Sequence, residues 1–383
     1  MLIQFSFKNF KVFKEEAFLD FLPAPINEHK GTLLQDPADG ERILPLIGIY
    51  GPNGSGKSTV LDALGCLSSI ITSSVSIPAR IRDFHCLFSG DCRNIPTQFD
   101  VLFRSQGFLF RYQLSLMGGI IMEENLFYGR LGGDDTGILF NRKESGIHPG
   151  RELLSYSLKA APPGVPLLSW LNAYTDSIHA RAAYTWFKGI QGAAPRGLPT
   201  DSDRRLRLCR ILQNIGLDIT DYSVLSHTDH KSPAVLLTHQ PDSSCSFELP
   251  LTEESEGTRR LLSLLPSVLA SLEEGSLMTA DDLDCILHPH GLRYLTGLYL
   301  DHEINPHGAQ LLFTGHNTAI LQPATLRRDE IWLCCRREGL DTDLYPLSSY
   351  KKENGLIPRN DEAYGKQYLE GRYGAVPVVP IQQ

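Results

Sequence analysis

Apolar and polar positions alternate from the start of the chain. Leu2, Ile3, Phe5 and Phe7 are followed by Phe10, Val12 and Phe13, then by Phe18, Leu19 and Phe21. A period near two predicts two strands joined around residues 14–16. Residues 23–40 are a turn-rich connector. Residues 43–50 (ILPLIGIY) are almost wholly apolar, as in a strand buried on both faces. A glycine-rich turn follows, and residues 57–71 carry a helical pattern. Strand character returns over 96–130 in FDVLFRS, FLFRYQLSLM and IIMEENLFY, with Gly107 and Gly118–Gly119 at the turns. The glycines and prolines of 132–166 predict a loose region. Residues 167–190 predict one helix carrying Trp170, Tyr174, Trp186 and Phe187. Residues 192–203 read as an exposed loop and a candidate for disorder. Further on, the pattern predicts helices over 204–215, 258–274 and 292–301. It predicts a hairpin over 223–249 turning at residues 241–244, and strands over 276–280, 310–314 and 330–335. No internal repeat or long heptad run occurs.

Composition narrows the classes. A length of 383 residues fits two or three domains, or one with large insertions. The net charge of -8 argues against a globally basic nucleic-acid binder. No apolar run is long enough to span a membrane, and the N-terminus lacks a signal-peptide core, so a cytoplasmic protein is expected. The eight cysteines contain no CxxC pair and read as reduced, mostly buried thiols. His227, His230, His239 and Cys245 lie close together, but their spacing fits no zinc pattern and reads better as a turn-rich hairpin.

The strongest chemical signal is the run Gly51, Pro52, Asn53, Gly54, Ser55, Gly56, Lys57, Ser58, Thr59, which matches GxxxxGK[ST]. It stands between an apolar strand and a helix, the context a phosphate loop requires. Glycines let backbone N–H groups surround phosphates. Lys57 would neutralise β and γ oxygens, and the Ser58 hydroxyl would ligate Mg²⁺. Downstream, residues 276–280 lead into Asp281 and Asp282. Asp281 reads as the acidic partner of Mg²⁺, and Asp282 stands where a general base would be. A helix-capping pair is the plainer alternative. Ser255 and Gly257 open the helix over 258–274; this is an N-cap or, through free N–H groups, an anion site. His316 follows a strand and lies 34 positions after Asp282, where it could reach a γ-phosphate.

This order of motifs resembles the ABC-type ATPases, specifically the SMC/OLD-like branch of single-chain heads, whose Asn-Phe-Lys/Arg opening is similar to residues 8–13 (KNFKVF). Within that branch it looks like the RloA/AbiL-like group of bacterial ATP-binding proteins. The likeness rests on residues 253–258 (EESEGT), on Asp281, Asp282, Leu283 and Asp284 with Leu287, His288 and Pro289, and on residues 371–377 (GRYGAVP). It covers nearly the whole chain, most weakly over 132–225.

The resemblance implies an α/β ABC-type P-loop head with an antiparallel β lobe and a helical subdomain. The nucleotide-binding core would be residues 1–71 and 250–350, the lobe 96–130, the helical insertion 150–225 and the tail 350–383. It implies ATP and Mg²⁺ as cofactors, held by Asn53, Gly54, Ser55, Gly56, Lys57, Ser58 and Thr59, with Asp281 as the Walker B aspartate. Asp282 takes the catalytic-glutamate position, Asp284 the dimer-coupling turn, and His316 is the switch histidine. Ser255 and Gly257 form the signature that touches a nucleotide held by a second subunit. Lys11 would contact nucleotide from the N-terminal strands. Gln98 and Gln106 are the candidates for a Q-loop glutamine.

Two departures stand out. Asp282 replaces Glu; a carboxylate set back by ~1.5 Å implies slow hydrolysis, since errors of about 1 Å can cost about 100-fold. Gly315, His316 and Asn317 replace the usual Thr-His-Asp. The expected function is an ATP-dependent switch, a homodimer or higher homo-oligomer, that controls a separate nuclease-like effector in anti-phage defence. Only 67 residues follow His316, fewer than an appended nuclease domain needs. Nucleic acid would be reached through the partner, and no membrane is involved. The alternative is an SMC-like DNA-repair or DNA-end-binding ATPase, against which the missing coiled coil and acidic balance count. A transporter ATPase subunit is the third reading.

Overall fold

The structure is a computed structural model, and it describes residues 1–36, 38–73, 84–88, 90–133, 136–192, 196–225, 234–285, 287–336, 342–351 and 355–375. In chain order the elements are β1 (Leu2–Lys8), β2 (Ala17–Asp20), β3 (Leu34–Gln35), β4 (Arg42–Ile43), β5 (Leu46–Tyr50) and α1 (Lys57–Thr72). Then come β6 (Thr97–Ser105), β7 (Phe108–Met117), β8 (Ile120–Arg130), β9 (Thr136–Lys143), β10 (Gly146–Pro149), α2 (Leu167–Tyr174), α3 (Ile178–Gly189) and α4 (Ser202–Ile215). The chain continues with β11 (Ile219–Leu225), β12 (Ala234–Asp242), β13 (Cys245–Pro250), α5 (Glu256–Glu274), β14 (Leu277–Ala280) and α6 (Pro289–Leu300). Last are β15 (Gln310–Gly315), β16 (Ile331–Arg336), β17 (Thr342–Pro346) and α7 (Tyr364–Leu369).

Two main sheets share the core. An antiparallel sheet runs β10-β9-β8-β7-β6-β1-β2. A second sheet runs β14-β15-β5-β16-β17, parallel except for its β16–β17 pair. The parallel strands explain the apolar run at β5, which is covered on both faces. Ile47 and Ile49 join the core shared with α1 (Val60, Leu64, Leu67) and the antiparallel sheet, whereas Leu46 and Tyr50 face the core of α4, α5 and α6. Strand alternation thus divides one five-residue segment between two cores. The expected α/β architecture, with an antiparallel β lobe and helices inserted after it, is the one observed. β5 and β14 end at Tyr50 and Ala280 in one sheet, as that architecture requires.

The sheets are joined through Gln310 on β15. Its buried amide accepts from Leu2 N at 2.5 Å and donates to Leu2 O at 2.9 Å and Leu44 O at 3.1 Å, replacing a missing peptide partner. The β1–β2 turn is longer than the sequence pattern indicates. Asn9 and Lys11 adopt left-handed conformations (φ 53° and 51°). Asn tolerates this region because its side chain bonds locally. Here Asn9 donates to Cys92 O and Ile95 O and accepts from Cys86 N.

Three expectations need correction. Residues 132–166 are not loose: they hold β9 and β10, which extend the antiparallel sheet. The helix expected over 167–190 is two helices, broken where the Ser177 hydroxyl accepts from Ala180 N at 3.1 Å and starts α3. β17 and α7 had no counterpart in the pattern. The hairpin expected at residues 241–244 is the β12–β13 connection, to which β11 adds a third strand. The loop expected over 192–203 ends earlier, because Asp201 caps α4 and residues 202–203 are already helical; residues 193–195 lie outside the described residues. Among the described residues, no helix is long and apolar enough to cross a membrane.

Candidate functional site

β5 ends at Tyr50, and the next six residues turn tightly into α1. The turn depends on glycine. Gly54 (φ 72°) and Gly56 (φ 109°) are left-handed, where a side chain costs about 1–2 kcal/mol. A Cβ on Gly51 would lie 2.0 Å from Cys334 O, and one on Gly56 would lie 2.8 Å from Val12 Cγ2. β16 and the β1–β2 turn therefore wall the loop on two sides. Gly51→Ala should destabilise the fold by about 1–3 kcal/mol, the usual cost of overpacking; a thermal melt matching wild type would contradict this packing.

Inside the loop, Lys57 is buried and its Nζ donates to Gly51 O at 2.9 Å and Pro52 O at 3.1 Å. Burial pulls its pKa below the usual lysine range, opposed by Cys334, Asp282, Asp281 and Asp284. Among the described residues, the buried Ser55 hydroxyl has no hydrogen-bond partner, nor do Tyr50 Oη and Asp284 Oδ1 close by. Unpaired buried polar atoms are costly and few. Ser58 lies on the open side, where its Oγ donates to Asp281 Oδ1 at 2.9 Å.

Asp281 follows β14, two strands away from β5, and is drawn to the loop by the parallel strand ends. Thr314 of β15 lies between. Its Oγ1 donates to Asp281 Oδ1 at 2.5 Å and accepts from Asp282 N at 2.8 Å. Asp282 is left-handed (φ 47°), which turns its side chain toward the next strand. There His316 Nε2 is 3.3 Å from Asp282 Oδ1. Asp284 holds the histidine's loop, since its Oδ2 accepts from both His316 N and Asn317 N. Asn317 in turn caps the next short turn by accepting from Ala319 N at 2.9 Å.

The structure thus brings together Lys57, Ser58, Asp281, Asp282 and His316, within a loop that contains Asn53, Gly54, Ser55, Gly56 and Thr59. It does not bring Ser255 or Gly257 to them. Both are exposed at the start of α5, where Ser255 accepts from Thr258 N at 3.1 Å. Lys11 stands beside the loop, but its Nζ is paired with Asp62 Oδ2 of α1 at 2.6 Å. Gln98 lies in β6, paired with Lys8 of β1 and Ser115 of β7, and Gln106 lies in the β6–β7 turn. His239 is held by Asp218 and Glu254, while His227 and His230 lie outside the described residues. Tyr373 of the C-terminal motif accepts at its carbonyl from Tyr345 Oη at 2.6 Å, and Val376 and Pro377 lie outside the described residues.

Pattern reading missed two contributors. Thr314 looked like one more strand residue. Arg336, at the end of β16, donates to Gly54 O at 3.0 Å and stacks its guanidinium 4.8 Å from the Phe88 ring centroid. Neither carries a local motif; only the strand order places them here.

A glycine-rich loop between a buried parallel strand and a helix, with its serine bonded to a carboxylate from another strand end, defines a P-loop domain. Residues 46–322 match the family described as "AAA domain, putative AbiEii toxin, Type IV TA system". The match takes in more than half of the chain, and the protein belongs to that family, whose AAA domain is an ATPase-type module. The chain is also similar to the SMC head domain from Thermotoga maritima, at 14% identity and a TM-score of 0.46 over 90% of this chain and 98% of that one. It is similar to an SMC head bound to the C-terminal winged-helix domain of ScpA, at 13% identity and a TM-score of 0.47 over 91% and 98%. A Pyrococcus furiosus-derived SMC head complex shows 12% identity and a TM-score of 0.43 over 90% and 96%. No curated protein matches the chain.

Proposed function

We propose that the protein is an ATP-binding and hydrolysing switch of ABC type, closest in kind to the RloA/AbiL-like proteins. It dimerises head to tail and controls a separate nuclease-like effector in anti-phage defence. The observation that carries the reading is the chain Ser58–Asp281–Thr314–Asp282 with His316 beside it. In this reading, a phosphate loop, a cation-holding carboxylate and a water-orienting carboxylate follow the C-terminal ends of neighbouring parallel strands. The family description, which names a putative AbiEii toxin of a Type IV TA system, supports a role in such a toxin–antitoxin setting.

The loop amides and Lys57 bind the phosphates, and Lys57 exchanges its Gly51 and Pro52 carbonyls for phosphate oxygens. The hydroxyl of Ser58 and the carboxylate of Asp281, 2.9 Å apart, are hard oxygen donors that fit Mg²⁺. When bound, the cation neutralises charge on the β and γ oxygens. Asp282 orients the attacking water and takes its proton as the water oxygen bonds to the γ-phosphorus. The bond to the ADP oxygen breaks, and that electron pair leaves with ADP. His316 donates to a γ-oxygen and is aligned by Asp284 through the loop backbone. ATP enters at the exposed side of the loop, and the two subunits close over it.

Asp282 is the shorter acid at this position, so Asp282→Glu should raise steady-state ATP turnover about 10-fold or more by moving the carboxylate closer to the water. An equal or lower rate in purified protein would identify Asp282 as a turn residue. The defence role is tested by plaque counts on cells carrying this gene with its neighbours. Protection that persists in Lys57→Ala would remove the ATP switch from the explanation. Duplex DNA binding by the chain alone would favour the SMC-like reading instead.

A further inference from the structure

His239 lies in β12, far in sequence from the phosphate loop, and is only 8% exposed. Both ring nitrogens meet carboxylates: Nδ1 is 2.8 Å from Asp218 Oδ1, and Nε2 is 2.7 Å from Glu254 Oε1. A carboxylate only accepts, so a ring bonded to one on each side must donate from both nitrogens, which requires the imidazolium. The ring also stacks on Phe247 of β13, with centroids 5.1 Å apart and planes at 6°. Asp218 belongs to the turn between α4 and β11, and its carbonyl accepts from Gln240 N at 2.8 Å. Glu254 directly precedes Ser255, the cap of α5. One side chain therefore ties three segments to the residue before the start of α5. The Glu254 carboxylate is as buried as the ring, with a side-chain exposure of 8%.

We infer that His239 is a positioning residue which, through Glu254, fixes the start of α5 and so presents Ser255 and Gly257 to a nucleotide held by a second copy of this chain. The second half of the inference rests on the head-to-tail reading above; the first half does not. Two charge-assisted bonds, a buried one to Glu254 and a half-exposed one to Asp218, make the three-stranded sheet of β11, β12 and β13 the mount for the exposed turn. Removing the ring would leave the Glu254 carboxylate buried and unpaired, so the turn should release it to water. The exposed Ser255–Gly257 amides would then lose their fixed direction.

The ionic partners that face the ring are Asp218 from the turn before β11 and Glu254 from the turn before α5, while β13 offers the Phe247 ring. Burial lowers the pKa of His239, but the bonds to Asp218 and Glu254 outweigh it and raise it above the usual histidine value. A raised folded-state pKa means the clamp is complete below the usual value and is lost as pH rises through the folded value.

Two measurements on the full chain test the inference. The first is hydrogen exchange over residues 255–261 without nucleotide. His239→Gln should speed exchange there about 10-fold or more and leave residues 57–64 unchanged; equal exchange in both proteins would overturn the inference whether or not the protein dimerises. The second is ATP-dependent dimerisation against pH, by light scattering. Wild type should weaken as pH rises through the His239 titration. Glu254→Gln, which keeps an acceptor but loses the charge, should move the midpoint to lower pH. His239→Gln should be weak and flat. A midpoint unmoved by Glu254→Gln, or wild-type dimerisation in His239→Gln, would overturn it. A wild-type chain that stays monomeric with ATP would overturn the head-to-tail reading, and the exchange arm would still decide whether His239 sets the turn.

Discussion

Lys57→Ala removes measurable ATP affinity, with a loss of at least about 100-fold, or about 2.8 kcal/mol. The reason is geometric. Lys57 is the buried cation of the loop, held against two carbonyls that need no charge, while Asp281, Asp282 and Asp284 lie close enough to sustain its charge. Without it, a triphosphate entering the loop would face three carboxylates with the backbone dipoles and the exposed Arg336 guanidinium as the compensation on this loop. Charge-assisted bonds to phosphate are among the stronger polar contacts, and no other buried side-chain cation contacts this loop among the described residues. Titration calorimetry with MgATP checks it; affinity within a few fold of wild type would mean that the loop does not hold the phosphates.

The second large effect concerns assembly. Ser255→Arg should abolish ATP-induced dimerisation while leaving ATP binding to the isolated chain nearly unchanged. Ser255 and Gly257 are exposed, and a Cβ on Gly257 would meet nothing closer than Ser255 Oγ at 3.9 Å. That open space is what a partner's phosphate needs, and an arginine side chain would fill it. The substitution also removes the bond from Thr258 N, so Ser255→Ala is the control, with a local loss of about 1 kcal/mol. Light scattering in a slow-hydrolysis background separates the cases. Equal dimerisation of Ser255→Arg and wild type would make Ser255 a helix cap and nothing more. The measurement is made on the chain alone, since a stable complex with another protein would hide the difference.

These expectations were legible in the sequence where local chemistry and strand pattern coincide. β5 is readable because a strand covered on both faces must be apolar throughout, and the phosphate loop because its glycines serve no simpler purpose. Asp281 is readable because two acids end an apolar strand. β9 and β10 were not, because Gly137, Gly146, Pro149 and Gly150 imitate a loop while the sheet supplies the order. Gly150 is needed there, as a Cβ would lie 1.8 Å from Ile138 O. The break between α2 and α3 was hidden by an unbroken apolar period, although Ser177 marked it. Thr314 and Arg336 were invisible for a different reason: their role exists only once β14, β15, β5 and β16 lie side by side. Asp284 was reached through family resemblance, and its part in holding the His316 loop emerges only from the backbone bonds.

Gln310 has a wider consequence. A single buried amide belongs to the parallel sheet by its backbone and to the first antiparallel strand by its side chain. The two sheets therefore share hydrogen bonds as well as apolar surface, and neither can open alone without stranding polar groups away from water. The phosphate loop, which follows β5 of that parallel sheet, therefore sits in the cooperative part of the molecule, and its shape is maintained by the same hydrogen bonds that keep the two sheets together.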